Sequence, residues 1–508
     1  MPEEQSGSFS RILSGSAVIF LGAILHKFIA FGGSVFNAQL LGPSGYGVIV
    51  VALSVYFILC DILSLGLNSG VARNYSQSDP SAVRRGVLTT AYQLATITAV
   101  VGAIAVFVAA GPVAEYVFQD ESIAPALRIL AVAIPLKIFL NLINGTLQGV
   151  KKPLVKTVVT SILQPVVRIS LIVSLVLLGY GAIGVAGAYL GATAVTAVVS
   201  LYYVRKHTEL FEFGTDAVPV HRSLLRFSVP LVGSSIILKF MNNLDTILIG
   251  TFATSADAGG YNVAFVLGQT TLLFIESIAF MYLPEVSDLY KEGALEQVSD
   301  IYRTVTKWVV FLSAPFVLTA LAFPNYVLTF IYSANYGYAT TAFVILVVGF
   351  SSHILNGPNR GTLVAFGKTR RLLGFDLGTL AANFALNVVL IPRFGIAGAA
   401  VATGSSYLLR NAMMTWYLNR EFRIIPFSQA LLFPLIPLAI TAVVVRGIVP
   451  SPSVLSVIIY TAVLTITLAL GYLSMGVEET DLLLAELLEE QGIDLDIVRR
   501  VHERVNRP

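Results

Sequence analysis

Residues 12–60 read ILSGSAVIFLGAILHKFIAFGGSVFNAQLLGPSGYGVIVVALSVYFILC, and this stretch decides the fold class. An apolar run over 12–39 has Lys27 as its one full charge, LGPSGYG at 41–47 turns the chain, and a second apolar run starts at 45. A helix needs about 20 apolar residues to cross a bilayer. The stretch therefore predicts two membrane spans joined by a tight Gly-Pro turn. Outward from it the pattern recurs at 86–111, 123–147, 154–179, 182–204, 223–251, 258–287, 304–323, 338–358, 370–391, 394–418, 427–448 and 452–475. With 12–39 and 45–71 these make fourteen expected spans, and 323–338, with Phe330, Tyr332, Tyr336 and Tyr338, is expected to lie at the membrane interface.

The composition agrees. Of 508 residues 56% are hydrophobic and 12% charged, and mean hydropathy is +0.80. A soluble chain carries about 25% charged residues because its surface must be wetted. The expectation is an all-α integral membrane protein. Thirty-two basic against twenty-nine acidic residues leave a net charge of +3, which gives no cationic face for nucleic acid. One cysteine, Cys60, supplies neither a disulfide framework nor a thiolate metal cluster. His26, His207, His221, His353 and His502 show no zinc-hydrolase spacing. Residues 1–10 are acidic and the run after them is too long for a signal peptide, so it is expected to be a retained span.

Lys and Arg concentrate in alternate loops: Arg84 and Arg85, Lys151 and Lys152, Arg205 and Lys206, Lys291 and Arg303, Arg370 and Arg371, Arg420 and Arg423. Such loops stay cytoplasmic, which places both termini there and the chain in the cell membrane. The expected division is a cytoplasmic N-terminus at 1–11, a lobe of six spans at 12–205, a linker at 206–222, a second six-span lobe at 223–418, two further spans within 427–475, and a tail at 476–508. Leu482, Leu483, Leu487 and Leu488 alternate with Glu486, Glu489 and Glu490, the pattern of an amphipathic cytoplasmic helix.

The two lobes follow from an internal repeat. LGPSGYG around Tyr46 answers SADAGGYN around Tyr261 at an offset of 215; TLQGVKK from Thr146 answers TLVAFGK from Thr362 at 216; GVAGAYLGAT from Gly184 answers GIAGAAVATG from Gly395 at 211. Six spans per copy is an even number, so both copies keep one orientation and are related by a pseudo-two-fold axis along the membrane normal.

A charge at mid-bilayer costs about 2.5–3.5 kcal/mol on insertion scales, so each one needs a reason. Lys27, Lys137, Arg168 and Lys239 lie inside spans, as do Asp61, Asp245 and Glu276. Four cations facing lipid would cost on the order of 10–14 kcal/mol, comparable to the stability of a domain. They are expected to share an interior that holds water or an anion. Through the repeat Asp61 answers Glu276, Lys137 answers His353 and Lys27 answers Asn242, which leaves the first lobe the more positive. A structural salt-bridge cluster of Lys239, Asp245 and Glu276 is the alternative for those three. Arg128 is expected to snorkel to the outer surface, and Arg73 and Arg360 read as anchors or gate pairs near the cytoplasmic ends.

AQLLGPSGYGV from Ala38, NGTLQGVKKP from Asn144, the GxxGxA string of Gly181 to Ala186 with its copy from Gly395, and the twelve-plus-two layout resemble the polysaccharide-biosynthesis branch of the multidrug/oligosaccharidyl-lipid/polysaccharide exporter superfamily. The resemblance covers residues 9–475. It implies two six-helix lobes, spans 1 and 7 bent at their centres, and alternating access. The implied cargo is a lipid-linked oligosaccharide, its phosphate held by Lys27, Lys137, Arg168 and Lys239. Asp61, Asp245 and Glu276 would couple protons or sodium or gate the carrier, with no other cofactor. Expected partners are the glycan lipid, membrane lipids and glycan-assembly enzymes, around a monomeric carrier that is not an enzyme. A cation-coupled multidrug exporter of the same superfamily is the alternative. A membrane glycosyltransferase or polymerase is disfavoured, since the outer loops are short and lack a DxD motif.

Overall fold

A computed structural model describes residues 2–77, 81–150, 153–208, 220–449 and 451–474. The expected tail at 476–508, most of the linker at 206–222, and Lys151 with Lys152 lie outside the described residues.

Among the described residues every regular element is helical. In chain order these are α1 Pro2–Leu63, α2 Leu67–Gln77, α3 Ser81–Pro112, α4 Ile123–Gly149, α5 Pro153–Thr157, α6 Gln164–Leu177, α7 Gly181–His207 and α8 His221–Phe252. There follow α9 Ser255–Gln269, α10 Leu273–Lys291, α11 Leu295–Ala322, α12 Pro324–Ile331, α13 Thr340–Asn356, α14 Asn359–Ala365, α15 Thr369–Phe422, α16 Gln429–Ile448 and α17 Val454–Leu473. Eleven described stretches are long and apolar enough to cross a membrane. The two longest, Lys27–Gln77 and Thr369–Phe422, each contain a kink, at Gly42 (φ 67°) and Gly395 (φ 56°). Those left-handed angles suit glycine alone among common residues, and they fall in the Gly-Pro turn and at the head of the second GxxGxA string. The chain is an all-α multi-pass membrane protein.

One expectation is corrected. The span at 45–71 is interrupted, because α1 stops at Leu63 and α2 begins at Leu67, with Leu65 (φ 47°) and Gly66 (φ 65°) both left-handed. No proline announces this break, and a leucine in that region costs roughly 1–2 kcal/mol that the surrounding packing must offset. The aromatics of 323–338 also divide. Phe330 and Tyr338 are exposed, whereas Tyr332 and Tyr336 are fully buried with ring centroids 6.1 Å apart. The short α12 and the 3-10 turn Ala334–Ala339 fold those two rings inward.

The chain divides into two compact units, Met1–Val263 with Asn387–Ile396, and Ala264–Leu386 with Ala397–Pro508. In the first, α4 packs against α1, α2, α3 and α7, while α8 packs against α1 and α2. Small residues permit these approaches, as is usual between membrane helices. A Cβ on Gly145 would stand 2.2 Å from the Asn68 carbonyl oxygen, so α4 and α2 touch backbone to backbone. In the second unit Gly349 meets Gly404 in the same way, a Cβ there lying 2.4 Å from the Gly404 Cα.

Repeat-related segments meet each other within the first unit. The Tyr46 hydroxyl donates to Asn262 Oδ1 at 2.8 Å, and a Cβ on Gly259 would lie 2.4 Å from the Pro43 carbonyl oxygen. Each turn tyrosine is also tied back to the helix before it: Tyr46 to Ser34 at 2.9 Å and Tyr261, as donor, to Asp245 Oδ2 at 2.7 Å. Contact between corresponding segments is what a two-fold relation between copies produces.

Candidate functional site

Four of the intramembrane charges converge in the first unit. After its kink α1 carries Phe57, Cys60 and Asp61; α4 contributes Lys137, α6 Arg168, α7 Tyr189 and α8 Lys239. Lys239 Nζ lies 3.7 Å from Asp61 Oδ2 and 5.8 Å over the Phe57 ring. Phe57 meets Tyr189 edge to face at 6.1 Å, and the Arg168 guanidinium lies 4.9 Å over the Tyr189 ring. Lys137 is electrostatically coupled to Cys60, Lys239, Asp61 and Arg168. Lys137, Lys239, Arg168 and Asp61 thus share one neighbourhood, in which Lys239 is the cation seen beside the carboxylate.

Local sequence places them. Pro135 sits in α4 two residues before Lys137, and a π-helical stretch Val158–Leu163 precedes Arg168. Such interruptions re-aim the side chains that follow them. The Lys239–Asp61 pair is open, with side chains 47% and 28% exposed. A pair this accessible contributes at most about 1 kcal/mol, so the site keeps its positive bias.

The other expected site residues lie elsewhere. Lys27 is exposed on α1 and is not among the charges acting most strongly on Lys137. Asp245 is 2% exposed and accepts from Tyr261 and from Asn387 Nδ2 at 2.6 Å. The clustering of Lys239 with Asp245 is therefore corrected: six residues along a helix place them roughly 240° apart, and Lys239 turns to Asp61 instead. Glu276 is exposed on α10 in the second unit. Asn242 is exposed on α8 and Arg73 on α2.

In the second unit His353 Nδ1 lies 3.0 Å from Asn411 Oδ1, which also accepts from Asn359 Nδ2 at 3.1 Å. Arg360 Nη1 donates to Asp376 Oδ2 at 2.7 Å, and Arg410 Nε donates to Asp376 Oδ1 at 2.9 Å. Asp376 and Arg410 are not among the expected site residues. Their signal is that Asp376 is the one acid of span 370–391 and Arg410 the one charge of span 394–418, both near the ends that share the Lys/Arg-rich side. Phe57 and Tyr189 were likewise passed over, because aromatic residues are ordinary in membrane spans.

Outside the spans, Asp120 accepts from the Ser122 backbone N–H at 3.0 Å, from the Ser122 hydroxyl at 2.5 Å and from the Ser255 hydroxyl. Desolvation pushes its pKa up, but these donors outweigh it and hold the carboxyl below its ordinary value.

A family model described as polysaccharide biosynthesis protein matches residues 12–289. The chain is 28% identical over 201 residues to the "Probable low-salt glycan biosynthesis flippase" of Haloferax volcanii, a match spanning 39% of this chain and 42% of that protein. It is 23% identical over 432 residues to the "Probable flippase AglR" of the same organism, spanning 83% of this chain and 86% of the other. The fold is similar to that of the lipid II flippase MurJ in an inward closed conformation, with TM-score 0.73, 12% identity, and coverage of 89% of this chain and 98% of that one. It is also similar to an inward-facing MATE family multidrug transporter of the MOP superfamily, with TM-score 0.65, 15% identity, and coverage of 78% and 94%.

Proposed function

The chain belongs to the polysaccharide biosynthesis protein family, and from that premise we propose that it is a flippase for lipid-linked oligosaccharides working by alternating access. The observation that supports this reading is that Lys137, Arg168 and Lys239 lie in one neighbourhood with Asp61 on helices of the first unit. A polyprenyl-linked glycan presents a phosphate and many hydroxyls, and each polar group left unsatisfied in hydrocarbon costs roughly 2–7 kcal/mol. A positively biased site on a hydrated path removes most of that barrier while the polyprenyl tail stays in lipid.

In this reading Lys137 and Arg168 hold the phosphate through charge-assisted hydrogen bonds. Lys239 exchanges between the phosphate and Asp61, and Lys27 on α1 meets the head group on entry. Asp61, Asp245 and Glu276 serve proton or sodium coupling or reset of the empty carrier, and Arg73 and Arg360 anchor or gate. The chain sits in the cell membrane as a monomer with both termini cytoplasmic, and glycan-assembly enzymes supply its cargo. An exporter of cationic drugs would need carboxylates facing its cargo. Here Asp61 is held by Lys239, and Asp245 by Tyr261 and Asn387.

The test is transport in proteoliposomes of a fluorescent polyprenyl-phosphate oligosaccharide. A hydrogen bond to a charged group is worth about 1.5–3 kcal/mol, so Lys137→Ala or Arg168→Ala slows the initial rate about tenfold or more at equal protein incorporation. Unchanged rates in both variants would overturn the reading.

A further inference from the structure

The cationic site contains two aromatic rings whose presence the scaffold does not require. The repeat supplies an internal control. Tyr189 lies in GVAGAYLGAT, and its partner position in GIAGAAVATG is Ala400; Phe57, eleven residues beyond Tyr46, answers Leu272 at the offset of 215. Ala400 and Leu272 are both buried, so the second copy fills these positions with small or aliphatic side chains. No Lys or Arg occurs across 379–384, the stretch that answers Arg168 at offsets of 211 to 216. Tyr189, Phe57 and Arg168 therefore belong to the first copy alone, and they form one continuous array with Lys239.

The Tyr189 hydroxyl adds a second observation. Among the described residues it makes no hydrogen bond, and it is not a buried atom. The phenol therefore stands beside a guanidinium with a donor open to an incoming hydroxyl. Both rings are half-buried, so each presents part of its surface to whatever enters the site.

We infer that Phe57 and Tyr189 form a sugar platform, on which the pyranose ring next to the phosphate of the cargo packs its C–H face while the Tyr189 hydroxyl bonds a ring hydroxyl. The negative faces of the aromatic rings attract polarised C–H groups for the same reason that they attract cations. Arg168 over Tyr189 and Lys239 over Phe57 put the phosphate partners beside the platform, so phosphate and first sugar are held together. This proposal rests on the flippase reading and deepens it. The rings position the glycan, whereas the cations hold the charge.

The experiment compares dissociation constants in detergent micelles for two probes: a polyprenyl phosphate, and the same polyprenyl phosphate carrying one hexose. The proteins are wild type, Tyr189→Phe, Tyr189→Leu, Phe57→Leu and Arg168→Gln. Tyr189→Leu and Phe57→Leu are expected to weaken the hexose-bearing probe about tenfold, or about 1.4 kcal/mol, and to leave the bare phosphate within about twofold. Tyr189→Phe, which keeps the ring, is expected to cost the hexose-bearing probe about threefold and tests the hydroxyl even where the leucine variant fails to fold. Equal weakening of both probes, or of neither, overturns the platform. Should Arg168→Gln bind both probes as tightly as wild type, the phosphate site itself fails, and the flippase reading with it.

Discussion

Replacing Gly47 with alanine tests the contact between repeat-related turns. A Cβ at Gly47 would stand 1.6 Å from the Ser255 carbonyl oxygen and 2.4 Å from its carbon, whereas ordinary contact begins at 3.4 Å. The shortfall is about 1.8 Å, and since the obstruction is backbone it is relieved only by moving the segment around Ser255 and Asn262 away from α1. Overpacking costs about 1–3 kcal/mol where side chains can yield, so the upper end applies here. Losing the Tyr46–Asn262 hydrogen bond, 2.8 Å long, adds about 1 kcal/mol. At an unfolding entropy of about 2.1 cal/mol/K per residue over 508 residues, a loss of about 3–4 kcal/mol corresponds to a fall in Tm of about 3–4 °C. Heating detergent-solubilised protein and following the monodisperse fraction by fluorescence-detected size exclusion measures it. Gly374→Ala is the control: nothing lies within 4 Å of its Cβ, and alanine favours the helix, so its Tm stays level or rises. If Gly47→Ala melts at the wild-type temperature within about 1 °C, against an expected fall of about 3–4 °C, the close approach of the two turns is wrong.

Three further outcomes follow from the charges. Asp376→Asn leaves Arg360 and Arg410 without their shared carboxylate, and because the Asp376 and Arg410 side chains are only 5% and 10% exposed, stability falls by about 3–5 kcal/mol; thermal unfolding within about 1 kcal/mol of wild type contradicts this. Asp61→Asn removes a partner from a pair 47% and 28% exposed, so Tm barely moves while Lys239 is released to the anion, and a polyprenyl phosphate binds up to about fivefold more tightly; weaker binding refutes the assignment of Lys239. Asp120 has a depressed pKa, so the stability it adds is present above the ordinary carboxylate value of 3.8 and lost as pH falls through the lower folded value. Ser255→Ala removes a donor and moves that loss to higher pH, visible in Tm measured from about pH 6 down to about pH 3; parallel curves for the two proteins would show that Ser255 does not hold the carboxylate.

Hydropathy and turn residues made the helical membrane fold legible. Gly42, beside Pro43, and Gly395 stand where the helices kink, and only glycine tolerates the backbone angles observed there. The break at Leu65 carries only Gly66 as a mark, and a leucine in the left-handed region is not what its own backbone preference selects. Of the site, Lys137, Arg168, Lys239 and Asp61 were legible as charges too costly to face lipid. Their partners were not: Lys239 joins Asp61 across 178 residues of chain rather than Asp245 on its own helix, a choice made by helix rotation. Phe57 and Tyr189 acquired meaning only beside the cations, and Asp376 only between Arg360 and Arg410.

Helicity, repeated membrane crossing and the internal repeat can be read from residues in order, because they depend on transfer free energy and on local backbone geometry, both properties of short segments. Which buried charges face one another was decided only by the tertiary structure. Pairing energy falls off over a few ångströms, and the azimuth of each helix about its axis, which sets those ångströms, is fixed by contacts between residues far apart in the chain.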